Sequence, residues 1–273
     1  MNSLLRADIL KLRRSTTFRA CLILAFLIGI IMAVLYNIAA DQLHANYDEY
    51  VNILVERGMN QEAVEDIFSE VPEYNLWAYI NISLSDNNVL YFGAIIISVL
   101  VGSEYSMGTL RNSVSRGFSR SSVFFSKLIT SVLSMYAVVL FYVLGSGITA
   151  CIMYGFGSSV GALKILLIIT AYLVLFAAVS CFYMMVAVLM KNTGHALGFS
   201  IIVPLLVATV MRLAAMAQPD FDSVSRFWIF NTIASTQKMC MSSDVWIPFT
   251  ASGVYFAVSC VTGILVFRRQ EIK

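Results

Sequence analysis

Six long apolar runs alternate with short polar segments along the chain, and each run is long enough to cross a bilayer as a helix. A crossing needs about 20 apolar residues. The third and fourth runs exceed that length, which predicts tilt or extension beyond the bilayer. The predicted spans are Thr17–Ala39, Ser83–Ser103, Phe124–Tyr154, Ala162–Met190, Ala196–Ala217 and Trp246–Phe267.

Composition agrees with this pattern. Apolar residues make up 59% of the chain and charged residues 12%, whereas a soluble domain carries about 25% charged residues. We therefore expect an all-α integral membrane protein. Spans and their connections use nearly all of the 273 residues, which predicts a single six-span domain over residues 1–273 without a separate soluble catalytic domain.

The distribution of charge predicts the topology. Of the 18 Lys and Arg residues, 13 fall in segments 1–19, 104–127, 190–195 and 268–273. Segment 41–86 instead carries ten carboxylates and one base, Arg57. Because cytoplasmic loops are enriched in Lys and Arg, we expect both termini in the cytoplasm and an acidic extracellular segment over 41–86. Its carboxylates fit a solvated face, and they would also attract cationic peptides.

Several shorter helices are predicted outside the spans. Leu5, Ile9 and Leu12 share one face of a basic N-terminal helix, which is typical of a helix lying in the membrane interface. Its Lys and Arg side chains would meet anionic lipid headgroups. Within the acidic segment, Tyr47–Arg57 and Gln61–Ser69 are predicted as two helices.

An apolar segment also precedes the sixth span. Phe227, Trp228, Phe230 and Ile233 make this stretch too apolar for a free loop and too short for a crossing. Backbone at membrane depth must be buried in protein or line a cavity. We therefore predict a re-entrant outer segment in which Phe227, Trp228 and Phe230 form a gate, with a static plug as the alternative.

The segment between the second and third spans has its own pattern. Met107, Leu110 and Val114 fall at helical spacing on one side. Gly117 suits the left-handed residue after a helix, and Ser119 suits the N-cap of the next. The pattern indicates a short amphipathic helix across the end of the bundle. An ordinary basic cytoplasmic loop fits the charge of the segment equally well.

Small residues in the first span predict close helix packing. Ala25, Gly29 and Ala33 recur every four residues, a spacing that lets two membrane helices approach closely. We take this face as a candidate dimer interface.

The chain lacks the motifs of an enzyme. It has no phosphate-binding GxxxxGK[ST] loop, no HExxH and no Ser/His/Asp constellation. No catalytic residue, metal site, bound cofactor or nucleic-acid partner is expected. None of the sixteen carboxylates is expected well inside a span, which argues against an ion-driven carrier. Whether Cys151 and Cys240 form a disulfide is left open.

One segment carries a family resemblance. Glu104-x3-Gly108-Thr109-Leu110-Arg111, followed by Ser115-Arg116-Gly117-x-Ser119-Arg120 and Lys127, resembles the first cytoplasmic loop of bacterial ABC-2 type transporter permeases. The basic opening Leu5–Arg14, the six spans and the apolar excursion before the sixth span are also similar to that family.

The resemblance implies the membrane subunit of an ATP-driven exporter in the bacterial cytoplasmic membrane. It implies a homodimer or heterodimer of permeases with separate cytoplasmic ATPase subunits, which bind the ATP and Mg²⁺. Such permeases move amphipathic peptides, lipids or drugs, including in bacteriocin or lantibiotic export and immunity. Residues 104–118 would form a coupling helix that docks on the ATPase, and Glu104 and Arg111 would help to hold this helix to the membrane domain. Its contact residues would be Glu104, Met107, Leu110, Arg111, Val114 and Arg116.

A different class of function is also open. A membrane sensor or scaffold would bind an extracellular ligand at the acidic segment and signal inward without transport. Ligand-stimulated ATP hydrolysis would favour the exporter, and ligand binding without transport would favour the sensor.

Overall fold

The computed structural model describes residues 2–56, 60, 75–110, 115–157, 160–217 and 224–270, and this part of the chain is helical with no strand. It contains ten helices. They are α1 (Asn2–Arg14), α2 (Thr16–Ala45), α3 (Tyr47–Glu56), α4 (Leu76–Ser85), α5 (Asn88–Ser106), α6 (Arg120–Tyr154), α7 (Ala162–Met190), α8 (Thr193–Ala217), α9 (Ile229–Met241) and α10 (Trp246–Arg269).

Six of these helices, α2, α5, α6, α7, α8 and α10, are long and apolar enough to cross a membrane. The prediction of an all-α, multi-pass membrane protein is therefore confirmed. Helix α7 lies at the centre and contacts α5, α6, α8, α9 and α10. Large side chains of α7, including Tyr172, Phe176 and Tyr183, are almost fully buried there.

Different helix termini meet at the two ends of the bundle, which we call the terminal end and the distal end. At the terminal end, α1 and the last residues of α10 both adjoin the start of α6. At the distal end, the start of α4 meets the residues after α6, where the Trp77 amide donates to the Gly157 carbonyl at 3.3 Å. Both described chain ends therefore lie at the same end of the bundle.

The second predicted span is a broken helix. It was predicted over Ser83–Ser103, but α4 ends at Ser85 and α5 begins at Asn88. Asp86 and Asn87 form the break, and the Asp86 carboxylate accepts a hydrogen bond from the Asn88 amide at 2.9 Å. Local bonds of this kind let an Asp side chain replace helical backbone hydrogen bonding.

Helix α4 lies within the segment 41–86 that is predicted to be extracellular. It packs against α6 and α9 within the bundle, and the extracellular location of the segment stays a prediction. Trp77 and Tyr79 of α4 are 5% and 1% exposed. Helix α3 confirms the first of the two helices predicted in this segment, and the second, Gln61–Ser69, lies outside the described residues.

Helices α2 and α6 cross at two glycines. A Cβ atom added to Gly29 would lie 2.2 Å from the Tyr142 carbonyl oxygen, and one added to Gly145 would lie 2.2 Å from that of Phe26. These distances leave no space for a side chain at either glycine, so the two backbones touch.

This crossing corrects the candidate dimer interface. Ala25 and Ala33 are 0% and 2% exposed, and Gly29 packs against α6 of the same chain. The small-residue face of α2 does mediate close helix packing, as its spacing predicted. Its partner is α6, so the prediction that this face meets a second copy is wrong.

Candidate functional site

Helix α1 directs an acidic residue into the terminal end of the bundle. Leu4, Asp8 and Leu12 are one turn apart, and all three are buried, with Asp8 only 5% exposed. Residues four apart share one face of a helix, so Asp8 faces inward between two leucines. The buried face of α1 is thus centred on Asp8. Ile9, part of the predicted apolar face, is 38% exposed.

Two further charges come from the helices on either side of the α5–α6 connection. Glu104 lies in the last turn of α5 and Lys127 in the second turn of α6. They are 5% and 4% exposed. The Ser119 side chain accepts a hydrogen bond from the Ser122 amide and caps the start of α6, as the sequence predicted. That cap sets where α6 begins and therefore where Lys127 lies.

These residues form one connected ion cluster. The Lys127 Nζ atom lies 2.5 Å from Asp8 Oδ1 and 2.6 Å from Glu104 Oε1. Lys11 Nζ lies 2.7 Å from the same Glu104 oxygen, and Ser126 Oγ donates to Asp8 Oδ2 at 2.6 Å. We call Asp8, Lys11, Glu104 and Lys127 the ion cluster.

The ion cluster is electrically balanced, with two carboxylates and two ammonium groups. Three of its members are buried, and only the Lys11 side chain, 44% exposed, reaches solvent. A buried charge is tolerated when it is paired and hydrogen-bonded. The arrangement holds α1, α5 and α6 together at one point.

A half-open crevice of about 50 Å³ lies beside the ion cluster, between α1, α2 and α5. Lys11, Ser15 and Ser103 contribute to its wall together with Phe18 and Leu100. Because one water molecule occupies about 30 Å³ of liquid, this volume suits one or two waters. The crevice therefore gives water access to Lys11 and is too small for an organic ligand.

A second set of contacts ties the C-terminal helix to the same place. Arg120 donates to the carbonyl oxygens of Arg268 and Gln270, at 2.8 and 2.6 Å. The Tyr105 hydroxyl donates to Gln270 Oε1, and Gln270 Nε2 donates to the Val188 carbonyl, each at 2.9 Å. The base of the α5–α6 connection is therefore bonded to α1 on one side and to α7 and α10 on the other.

The connection itself is described at residues 107–110 and 115–119. Met107 is 64% exposed, whereas Leu110 is 2% exposed. Gly108 and Gly117 have φ values of 65° and 86°, a region that favours glycine, and Gly117 was predicted to adopt it. Arg116 is exposed. Two further predicted contact residues, Arg111 and Val114, lie outside the described residues.

The predicted contact face is therefore divided. Met107 points away from the bundle, and Leu110 anchors the connection to it. A surface for a partner at this place would use Met107 and Arg116 but not Leu110. The prediction that Met107 and Leu110 lie on one shared docking face is wrong, because the left-handed Gly108 between them turns the chain.

Two of the three predicted gate residues, Phe227 and Phe230, pack against different helices. Phe230 is 5% exposed and packs against Phe182 and Tyr183 of α7, at centroid distances of 6.2 and 6.3 Å. Phe227 is 42% exposed and packs against Trp246 at 5.9 Å. A single constriction lined by both rings is therefore absent from this conformation.

Trp228 lies between these two rings in the chain and joins a wider aromatic group. It packs against Phe230 at 5.5 Å and against Tyr255 of α10 at 5.9 Å. The segment that begins here continues as α9, which has 13 residues and is too short to cross a membrane. These packed rings favour the static plug in this conformation.

Two other open points concern thiols and metals. Cys151 and Cys240 are both free thiols, and Cys240 is buried. Among the described residues, no group of three or more His, Cys, Asp or Glu side chains could hold a metal ion.

The sequence analysis identified Glu104, but missed Asp8, Lys11 and Gln270. A signal for Asp8 was present, because it is the one acid in a basic helix and lies four residues from both Leu4 and Leu12. Gln270 had no comparable signal, since its partners lie 165 and 82 residues away along the chain.

The comparisons with known proteins place the chain in a family. A family model described as "Protein of unknown function (DUF2705)" matches residues 30–273. The chain belongs to the DUF2705 family. The matched region includes Glu104 and Lys127 of the ion cluster and begins after Asp8 and Lys11.

The chain is also similar to the "Uncharacterized protein YhcI" of Bacillus subtilis (strain 168). The two are 24% identical over 237 residues, covering 78% of this chain and 74% of the relative. No solved structure matches the chain. Neither the DUF2705 description nor the name of this relative states an activity, so function is inferred from the geometry.

Proposed function

We propose that this DUF2705 protein is the permease subunit of an ATP-driven exporter and that its α5–α6 connection is the contact with a separate ATPase subunit. The observation that carries the proposal is the ion cluster at the base of this connection. A force applied to the connection would reach α1, α5 and α6 together, because Lys127 bonds to both Asp8 and Glu104.

The described part of the connection supports an ATPase contact. Its first residue, Met107, is 64% exposed, and Arg116 is exposed, while the helices on either side are held by buried charge pairs and by Arg120. Firmly held helices and exposed side chains between them suit an element that would transmit a partner's movement. Apolar side chains such as Met107 are typical anchors where a short helix meets a partner.

The rest of the proposal follows from this role. The terminal end would face the cytoplasm, in the bacterial cytoplasmic membrane, and the ATPase partner would bind the ATP and Mg²⁺. Since Gly29 packs within the chain, a second permease subunit would bind elsewhere. In the most apolar stretches of α8 and α10, only 17% and 22% of the residues are buried within the chain. The exposed faces of these two helices are therefore free to contact lipid or a second copy. The substrate would be an amphipathic peptide, lipid or drug.

The test is a photo-crosslink from the start of the connection. A photoreactive residue replaces Met107, and the chain is co-expressed with each ABC ATPase of its host. We expect a crosslink to one ATPase, and that complex should hydrolyse ATP. The matched control places the same group at Phe156, which is 89% exposed at the distal end and should give no crosslink.

Two outcomes would count against the proposal. One is the absence of an ATPase crosslink at Met107 in a properly inserted protein, and the other is an equal crosslink at both positions. Met107 replaces Leu110 as the test position, because a charge at Leu110, which is 2% exposed, would disturb packing as well as any contact.

A sensor or scaffold is the second candidate function. It is favoured by the acidic segment, in which Glu49 and Glu56 of α3 are exposed. Such a surface attracts cationic ligands without any transport step. Ligand binding that leaves ATP hydrolysis and ligand movement unchanged would support this candidate over the exporter.

A further inference from the structure

Asp86 is a carboxylate at the level of the middle of helix α6. Its Oδ2 atom accepts a short hydrogen bond from the hydroxyl of Tyr142, which lies within the 35-residue helix α6. Tyr142 is five residues from the midpoint of α6 at Ala137, hence about 8 Å along the axis. A hydrocarbon layer about 30 Å thick extends about 15 Å to either side of its centre. A layer centred on the middle of α6 would therefore include Asp86, although no carboxylate was expected well inside a span.

Both carboxylate oxygens of Asp86 accept hydrogen bonds. Tyr142 donates to one oxygen and the Asn88 amide donates to the other, at 2.9 Å in the second case. The carboxylate also lies at the N-terminus of α5, where the helix dipole favours negative charge.

Asp86 has no cationic partner among the residues that the structure describes. The ion pairs there involve Asp8, Glu104 and Asp244 as acids, and Asp86 forms none. A charge in the membrane normally pairs with another charge or marks a pathway for an ion or a substrate. Each carboxylate oxygen keeps lone-pair capacity for a further donor.

Two neighbouring groups extend the site. Tyr36 lies seven residues, about two helical turns, beyond Gly29 on α2, and Gly29 meets the Tyr142 carbonyl, so Tyr36 is on the side of α2 that faces α6. Tyr36 is 37% exposed, whereas Tyr142 is fully buried, so the site is accessible from the Tyr36 side. The side-chain oxygen of Asn87 is buried without a donor among the described residues.

We propose that Asp86, Tyr142 and Tyr36 form an intramembrane site for an organic cation, the ammonium or guanidinium group of an amphipathic peptide. The carboxylate supplies the counter-charge, and the tyrosine rings supply faces that attract cations. The chain supports this charge selection at the distal end, because segment 41–86 carries ten carboxylates and one base. Such a segment raises the local concentration of cations.

The inference rests on the proposed export function for the choice of an amphipathic peptide, but it is tested by binding alone. The protein is placed in nanodiscs of phosphatidylcholine, so that the lipid adds no net charge. Two fluorescent amphipathic peptides are compared, one with a single free lysine and one with that lysine acetylated. Fluorescence anisotropy gives the dissociation constant of each.

We expect the wild-type protein to bind the free-lysine peptide about tenfold more tightly or better, as a hydrogen bond to a charged group implies. In Asp86→Asn, which keeps one acceptor oxygen for the Asn88 amide and places an amide donor beside the Tyr142 hydroxyl, the two peptides should bind alike. The matched control is Asp244→Asn at the α9–α10 turn, an acid whose side chain is 38% exposed and paired with Arg226. This control should keep the wild-type preference.

A second variant, Tyr36→Leu, tests the same site should Asp86→Asn fold poorly. Tyr36→Leu removes an accessible ring and should reduce the preference severalfold. A wild-type protein without preference, or an unchanged preference in Asp86→Asn or in a folded Tyr36→Leu, would overturn the site. Since the assay contains no ATPase, its failure leaves the Met107 crosslink to test the proposed function separately.

Discussion

Helix α6 contributes to two polar layers, one at Lys127 and one at Tyr142. The carboxylates of the two layers differ in the kind of partner that they have. At Lys127, the charges of Asp8 and Glu104 meet two lysines. At Tyr142, Asp86 meets a hydroxyl and a backbone amide. A balanced cluster is complete within the chain and serves to hold helices together. Among the described residues Asp86 has no ion-pair partner, and we propose that a ligand supplies one. The same residue type therefore has a structural role in one layer and a proposed binding role in the other.

The largest expected effect comes from removing the central charge of the balanced layer. Lys127→Met leaves Asp8 and Glu104 buried without this partner, and breaking a buried pair costs about 3–5 kcal/mol. We expect the free energy of unfolding to fall by that amount, measured by denaturant titration in detergent.

The matched control for Lys127→Met removes the whole set of buried charges. Replacing a buried ion pair or triad completely is often nearly neutral, so Asp8→Asn, Glu104→Gln and Lys127→Met together should recover much of the lost stability. If the single change costs under about 1 kcal/mol, the value typical of an exposed pair, the layer is not desolvated as described.

An intermediate effect is expected in the Tyr142 layer, which is held by close packing. Gly29→Leu places a side chain against the Tyr142 carbonyl, where even a Cβ would be 2.2 Å away. Overpacking of this kind costs about 1–3 kcal/mol. Thermal unfolding followed by size-exclusion chromatography would measure the loss.

Gly253→Leu is the matched control for Gly29→Leu, because a Cβ at Gly253 has no atom within 4 Å. Its stability should stay within about 0.5 kcal/mol of wild type. Were Gly29→Leu instead to keep full monomer stability and weaken only dimer formation, the original dimer-interface prediction would stand.

The smallest effect is expected at the rim of the balanced layer. Lys11→Ala removes a side chain that is 44% exposed, and Lys127 still pairs with Glu104. Exposed ion pairs contribute about 0–1 kcal/mol, so unfolding should shift only slightly. A loss larger than that of Lys127→Met would show that Lys11, rather than Lys127, is the main partner of the two acids.

Much of the fold could be predicted, because a membrane helix is specified by apolar residues that are neighbours in the sequence. The six spans, the short helix Tyr47–Glu56 and the caps at Gly117 and Ser119 follow from runs and caps within a few residues. The break at Asp86 and Asn87 was not predicted, because it lies within an apolar run that is long enough to form one continuous helix. The α4 helix was missed for a related reason, since its polar neighbours made it resemble part of an extracellular segment.

The candidate sites depended on distant contacts instead. Glu104 was found through its motif, but Asp8 lies 119 residues from Lys127, and no local pattern shows that they meet. Asp86 and Tyr142 are 56 residues apart. Gly29 was predicted to lie on a close-packing face and Phe230 in a gate or plug. The residues that each one contacts could not be predicted from spacing alone.

The sequence by itself determined that this protein is a helical membrane protein, because apolar runs of this length are stable only as buried or lipid-facing helices. It also determined that the basic residues cluster near both termini and after the second span, and that the acidic residues cluster over 41–86. Only the tertiary structure decided which charges are neutralised. Charge pairing depends on which helices lie side by side, and that order is set by the packing of whole faces. The structure therefore distinguishes the closed cluster at Lys127 from the carboxylate at Asp86, which has no ion-pair partner in the part of the chain that the structure describes.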